Sequence, residues 1–339
     1  MLHSNLEPRL DRIELLHDWL RPQFPEAAPS IAPASADASF RRYFRVTAGE
    51  RTFIAMDAPP AHEDCKPFIA VARLFGDAGV HVPTVLAQDL QQGFLLLTDL
   101  GSTTYLEALD EASADKLYRD AIDALIRIQL ASRPGALPEY DQALLTRELR
   151  LFPDWYVSKH LQATLSASQN DVLEAVFAAI LRNNLAQGQV YVHRDYHSRN
   201  LMVTEPNPGI LDFQDAVYGP VTYDLASLFK DAYISWDEER VLDWVIRYWE
   251  KAKKAGLPVP HDFAAFYRDF EWMGVQRHIK VLGIFARLFH RDGKAGYLND
   301  MPLVMNYLRK ACERYNELAP LLRLLDDLEG KAAQAGYSF

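Results

Sequence analysis

His193-Arg194-Asp195-Tyr196-His197-Ser198-Arg199-Asn200 has the form H-x-D-x-x-x-x-N, and Asp212 follows twelve residues after Asn200. Residue types at that spacing suit phosphoryl transfer. The reaction needs a positioned nucleophile and neutralised charge on a triphosphate, and little covalent chemistry from the protein. A carboxylate on a loop takes the proton of the acceptor hydroxyl. An amide oxygen five residues on, and a second carboxylate beyond it, are hard oxygen ligands of the kind magnesium prefers. The spacing therefore predicts Asp195 as the base and Asn200 and Asp212 as ligands of Mg2+. His193 is expected to brace the loop through hydrogen bonds. A bare match to this pattern arises by chance; the flanking strands, the hairpin to Asp212 and Asp224-Leu225-Ala226 beyond it add specificity. Asp224 stands where a helix would begin, so N-capping accounts for it, and support of the catalytic loop from below is compatible with that.

The elements that must hold these residues are legible around them. Residues 190–192 and 201–203 are short apolar strands, Glu205-Pro206-Asn207-Pro208-Gly209 turns the chain, and residues 210–213 return. Upstream, residues 8–20 carry apolar side chains at helical spacing. Residues 43–46 and 52–56 form a hairpin, 66–79 a helix, and 82–86 and 93–99 strands. Beyond Gly101 the pattern becomes helical over 112–132, over 140–161 with a break at Pro153, and around 172–180. Helices follow over 237–255, 261–290 and 301–325, the last with a break expected at Pro320.

The loop resembles the motif of the aminoglycoside phosphotransferase and choline kinase families, usually H-G-D-x-H-x-x-N. The segments LDFQDAVYGPVTYDLASL, RYWEKAKKAGLPV and EWMGVQRHIKVLGIFARL further resemble the bacterial N-acetylmuramate/N-acetylglucosamine anomeric kinases of that superfamily. The chain departs from the broader motif at Arg194, Ser198 and Arg199, where Gly, Pro and Gly are common. The resemblance implies an α+β, protein-kinase-like fold: an antiparallel-sheet N-lobe over residues 1–101 that binds nucleotide, and a larger, mainly helical C-lobe over 102–339 with the catalytic loop and acceptor-binding helices. It implies an ATP-dependent kinase acting on the anomeric hydroxyl of those amino sugars in cell-wall recycling. Alternatives are an aminoglycoside, choline or homoserine kinase, or a nucleotide-binding module without activity.

In such a fold the turn at residues 35–40 would lie over the phosphates, with Ser35, Asp37 and Ser39 beside backbone N–H groups; an ordinary polar turn is the local alternative. Thr98 C=O and Leu100 N–H would meet the adenine edge. The strand that usually carries the phosphate-pairing lysine ends in Met56. Arg45 is the candidate to replace it, with Arg42 second.

For the acceptor, Glu271 to Lys280 mixes an aromatic, an amide and several cations. Arg199, Trp272, Arg277 and His278 are the candidates to meet a sugar ring or a carboxylate. The competing reading of that run is a solvated helix face.

A net charge of −10 argues against a nucleic-acid-binding surface, and 49% hydrophobic residues support sizeable cores. Two cysteines far apart, Cys65 and Cys312, argue against a disulfide framework or zinc site and favour a reducing, cytoplasmic setting. The first residues match neither a signal peptide nor a membrane span. The expected partners are ATP and an amino sugar, with no nucleic acid, no membrane and a monomeric state.

Overall fold

The computed structural model describes residues 11–36 and 40–330. The chain divides into two units, Met1–Ser102 with Thr204–Asp215, and Thr103–Val203 with Ala216–Phe339. The hairpin carrying Asp212 thus belongs to the unit that contains the N-terminal strands.

The first unit is built on a five-stranded antiparallel sheet. Helix α1 (Arg12–Leu20) precedes strands β1 (Ser30–Ala36), β2 (Arg42–Ala48) and β3 (Arg51–Asp57); α2 (Cys65–Asp77), β4 (Val85–Asp89) and β5 (Phe94–Thr98) follow. The strand order is β1-β2-β3-β5-β4. Side chains alternate between faces along each strand. Phe44 and Val46 on β2, Phe53 and Ala55 on β3, and Phe94 and Leu96 on β5 therefore share one face. Leu16 and Leu20 of α1 close that face into a core. Each large apolar side chain so buried contributes about 1.5–3 kcal/mol. Phe68 and Phe75 of α2 pack on Phe213, with ring centroids 4.9 and 6.0 Å apart.

The second unit is mainly helical. Helices α3 (Tyr105–Ala108), α4 (Ala114–Leu130) and α5 (Gln142–Leu151) lead into a π-helical turn, Phe152–His160. That turn contains Pro153, where the sequence predicts a break. After α6 (Ala167–Leu185) come strand β6 (Gln189–Val192) and the short β7 (Leu201–Met202). The chain then returns to the first unit for β8 (Gly209–Ile210), before β9 (Val217–Pro220) pairs antiparallel with β6. Helices α7 (Tyr223–Phe229), α8 (Glu238–Ala255), α9 (Phe263–Asp292), α10 (Met301–Arg314) and α11 (Ala319–Leu328) complete it.

The break expected at Pro320 falls earlier, at Tyr315, and Pro320 lies in the first turn of α11. A proline there lacks only an N–H that no helix would use, so it opens a helix rather than ending one. Helix α9 is the axis of the unit, packed by α5, α6, α7 and α10. Its close approach to α5 depends on Gly283, where a Cβ would stand 2.4 Å from the Leu151 carbonyl carbon. No described helix is long and apolar enough to cross a membrane.

Candidate active site

In the second unit the loop after β6 is held by its backbone. Asp224 accepts the N–H groups of His193 at 2.6 Å and Arg194 at 2.9 Å. It lies in the first turn of α7, whose N-cap is Thr222. Of the two roles the sequence suggested, capping falls to Thr222, and Asp224 takes the other, support of the loop. Burial pushes its pKa up to about 7, against the two donors that lower it. His193, fully buried, accepts the Asp195 N–H through Nδ1 at 3.2 Å. The Asp195 carbonyl accepts from Asn200 Nδ2 at 2.9 Å and from the His197 N–H at 3.1 Å. The bond from Nδ2 ties the Asn200 amide to the loop backbone.

The Asp195 side chain is 39% exposed. Desolvation would raise its pKa, but Lys280, Arg277, His197 and Arg194 outweigh it and hold the carboxyl below the usual range. Arg277 Nη1 lies 3.9 Å from Asp195 Oδ1 and donates to the Arg194 carbonyl at 3.3 Å. Arg194 itself has φ +79°, a left-handed conformation that glycine adopts without strain and a side chain resists. Its guanidinium donates to Glu148 Oε1 at 2.6 Å. Lys280 Nζ lies 3.1 Å from the same oxygen and donates to Tyr223 OH at 2.9 Å, while Tyr140 OH donates to Glu148 Oε2. Glu148 is 4% exposed. Burial works to raise its pKa, and Lys280 and Arg194 outweigh it and hold the Glu148 carboxyl below the usual range. Burial likewise works against charge on Lys280, and Glu148 and Tyr223 restore it.

Helix α9 thus contradicts the solvated-face reading of Glu271 to Lys280. That whole stretch is buried, because each charge has a partner. Glu271 accepts from Lys230 at 3.3 Å, Arg314 at 2.5 Å and Tyr315 at 2.8 Å. Trp272 is buried with Arg268 over its ring, and buried His278 stacks on Tyr307 with centroids 5.1 Å apart. Arg199 is exposed.

In the first unit Arg45 grips Asp99 with Nε at 2.7 Å and Nη2 at 3.2 Å, and donates to the Gly101 carbonyl at 2.8 Å. The Asp99 carboxylate also accepts the Gly101 N–H at 2.9 Å. Desolvation opposes its charge, yet these partners lower its pKa. Arg45 therefore fixes the segment that follows β5. Arg42 and Arg12 both bind the buried Asp57. Met56 is 1% exposed and belongs to the core. Thr98 donates its N–H to Thr84 O at 3.0 Å, and its hydroxyl oxygen accepts the Thr84 N–H at 2.9 Å; Leu100 is buried. Ser35 lies in β1 opposite Tyr43; Asp37 and Ser39 fall outside the described residues. Asp212 has φ +60° and accepts from Gln214 Nε2 at 2.8 Å, next to the fully buried Phe213. A carboxylate and an amide oxygen, Asp212 and Asn200, are donors of the type that suits magnesium.

The model of the phosphotransferase enzyme family matches residues 30–263. The chain belongs to that family. This phosphotransferase is 51% identical over 327 residues to an N-acetylmuramate/N-acetylglucosamine kinase of Pseudomonas aeruginosa, covering 94% of this chain and 97% of the relative. It is 52% identical over 305 residues to the protein of the same name from Pseudomonas putida, covering 90% of each. Its fold is that of aminoglycoside phosphotransferase APH(2'')-Ib, solved with ADP bound. The TM-score is 0.58 at 13% identity, over 86% of this chain and 97% of that one.

Sequence reasoning missed the supports of this phosphotransferase's loop: Glu148, Lys280, Tyr223, and Asp231, which accepts the Ser198 N–H at 2.9 Å. One signal was available. An arginine where the family motif carries glycine implies a partner holding it there.

Proposed function

We propose that this phosphotransferase moves the γ-phosphate of ATP to the anomeric hydroxyl of N-acetylmuramate or N-acetylglucosamine, within cell-wall sugar recycling in the cytoplasm. The observation that carries the substrate is the half-identity, over nearly the full length, to kinases named for those sugars. The loop supports the chemistry. Asp195, kept ionised by Lys280 and Arg277, orients the acceptor hydroxyl and takes its proton as the bond to phosphorus forms. A carboxylate held at low pKa is a weak base. It suits an anomeric hydroxyl, whose ring oxygen makes it more acidic than a plain alcohol. His193 and Asp224 keep the loop backbone in place. Asn200 and Asp212 would hold Mg2+, which when bound supplies charge neutralisation on the triphosphate oxygens. The segment fixed by Arg45 and Asp99, with Thr98 and Leu100, would receive the adenine.

Incubating the purified chain with ATP, Mg2+ and each sugar, and reading the product by phosphorus NMR, tests this. The expected product is the sugar 1-phosphate. Turnover of choline or an aminoglycoside, with neither amino sugar consumed, would overturn the proposal.

A further inference from the structure

Arg199 lies four residues after Asp195 on the same loop, and its guanidinium carbon stands 3.6 Å from the centroid of the Tyr233 ring. Its side chain is 43% exposed, and the carboxylate facing it, Asp300, is 4.0 Å away, longer than a hydrogen bond. The loop's other arginine, Arg194, is committed to Glu148. The candidates on α9, Trp272, Arg277 and His278, are 2%, 4% and 2% exposed.

The pair of Arg199 and Tyr233 is built in advance. Asp231, 1% exposed, accepts the Ser198 N–H through Oδ2 at 2.9 Å and the Tyr233 N–H through Oδ1 at 3.1 Å. One carboxylate thus registers both the backbone before Arg199 and the backbone of the ring beneath it. The Ser198 carbonyl is fixed as well, accepting the Leu106 N–H at 3.1 Å. The Tyr233 ring is backed by His197 at 5.4 Å and Phe285 at 6.3 Å between centroids. Stacking occupies a face of the guanidinium; its N–H donors lie in the plane, where they meet a carboxylate two at a time. A receptor ordered before the ligand arrives loses little entropy on binding.

We propose that Arg199, flattened on Tyr233 and registered by Asp231, binds the carboxylate of the acceptor. It thereby sets the preference for N-acetylmuramate, whose lactyl group carries a carboxylate, over N-acetylglucosamine, which has none. This rests on the amino-sugar reading above. At most about 14 Å of extended chain separates residues four apart, and the bond from Asn200 N–H to His197 O at 2.9 Å shortens the path. That is the scale of a sugar whose C1 hydroxyl meets Asp195 while its lactyl arm meets Arg199.

The test is a cycle with two sugars and one chemical change. Arg199→Gln lowers kcat/KM for N-acetylmuramate about 30-fold more than for N-acetylglucosamine, the worth of a charged hydrogen bond. Wild-type enzyme discriminates by a similar factor against N-acetylmuramate whose carboxylate has become an amide, and the variant uses acid and amide alike. Arg199→Lys, which keeps the charge but not the fork, recovers part of the difference. Equal losses for both sugars, or undiminished discrimination against the amide in the variant, would overturn the proposal. Should the variant fail to fold, equal use of acid and amide by the wild type would also overturn it. Wild-type enzyme that phosphorylates neither sugar would instead sink the amino-sugar reading itself, and this inference with it.

Discussion

Helices α8 and α9 are both dense in charge, and they use it in opposite ways. On α8, Arg247 pairs with Asp243 at 2.6 Å and Lys251 with Asp123 at 2.5 Å, every partner about half exposed. On α9, Arg277 and Lys280 are 4% and 5% exposed and reach the loop or its support Glu148, and Glu271, 3% exposed, pairs with Lys230. Exposed pairs contribute roughly 0–1 kcal/mol, because water and salt screen them. A buried pair adds little net stability, yet losing one partner strands the other in a medium that cannot solvate it, at about 3–5 kcal/mol. The pairs of Arg247 and Lys251 on α8 decorate a surface; Arg277 and Lys280 of α9 fix the posture of a loop.

The sharpest way to break this contrast is Glu148→Gln. It leaves the buried Lys280 and the half-buried Arg194 without their carboxylate, and is expected to cost about 3–5 kcal/mol in denaturant unfolding. A loss below about 1 kcal/mol would place the α9 network with ordinary surface pairs.

Next comes pH. Asp224 serves the loop best when ionised, and its pKa is pushed up to about 7 by burial. Activity should therefore fall as pH drops through that value. Stability should move the other way. A carboxyl whose pKa rises on folding favours the folded chain while protonated, and that contribution is lost as pH climbs from the unfolded value through the folded one. Rate profiles and unfolding curves between pH 5 and pH 9 for wild type and Asp224→Asn check both signs. A wild-type acid limb that persists unchanged in the variant would assign it to another group.

The smallest effect is on α8. Lys251→Met should change stability by less than about 1 kcal/mol and leave turnover untouched. A larger loss would show that exposure fails to separate the two helices.

The strand, loop and hairpin that carry the proposed chemistry were legible because they form one local pattern of fixed spacing. The sheet was legible for a similar reason, since the alternation at Phe44, Val46, Phe53 and Ala55 is local. Of the groups that support the loop, His193 and Asp224 were legible beside the motif, whereas Glu148, Lys280 and Asp231 were not. Lys280 meets Glu148 and Glu271 meets Lys230 across long stretches of chain, and periodicity cannot distinguish a paired buried charge from a solvated one. Pro320 misled because the same residue can end a helix or open one. Asp224 admitted two readings because a carboxylate at a helix start has two uses, and the donors that decide for loop support, the N–H groups of His193 and Arg194, lie just after β6.

The left-handed Arg194 carries a lesson for anyone borrowing this loop. A glycine at that position would take the bend without strain; here a side chain takes it, with its guanidinium tied to Glu148 on α5 and its backbone held by Asp224 and Arg277. Transplanting His193 to Asn200 into another scaffold would copy the spelling without the clamp. The recipient would need a matching acid on its own neighbouring helix, and partners for the backbone, before the loop kept its bend.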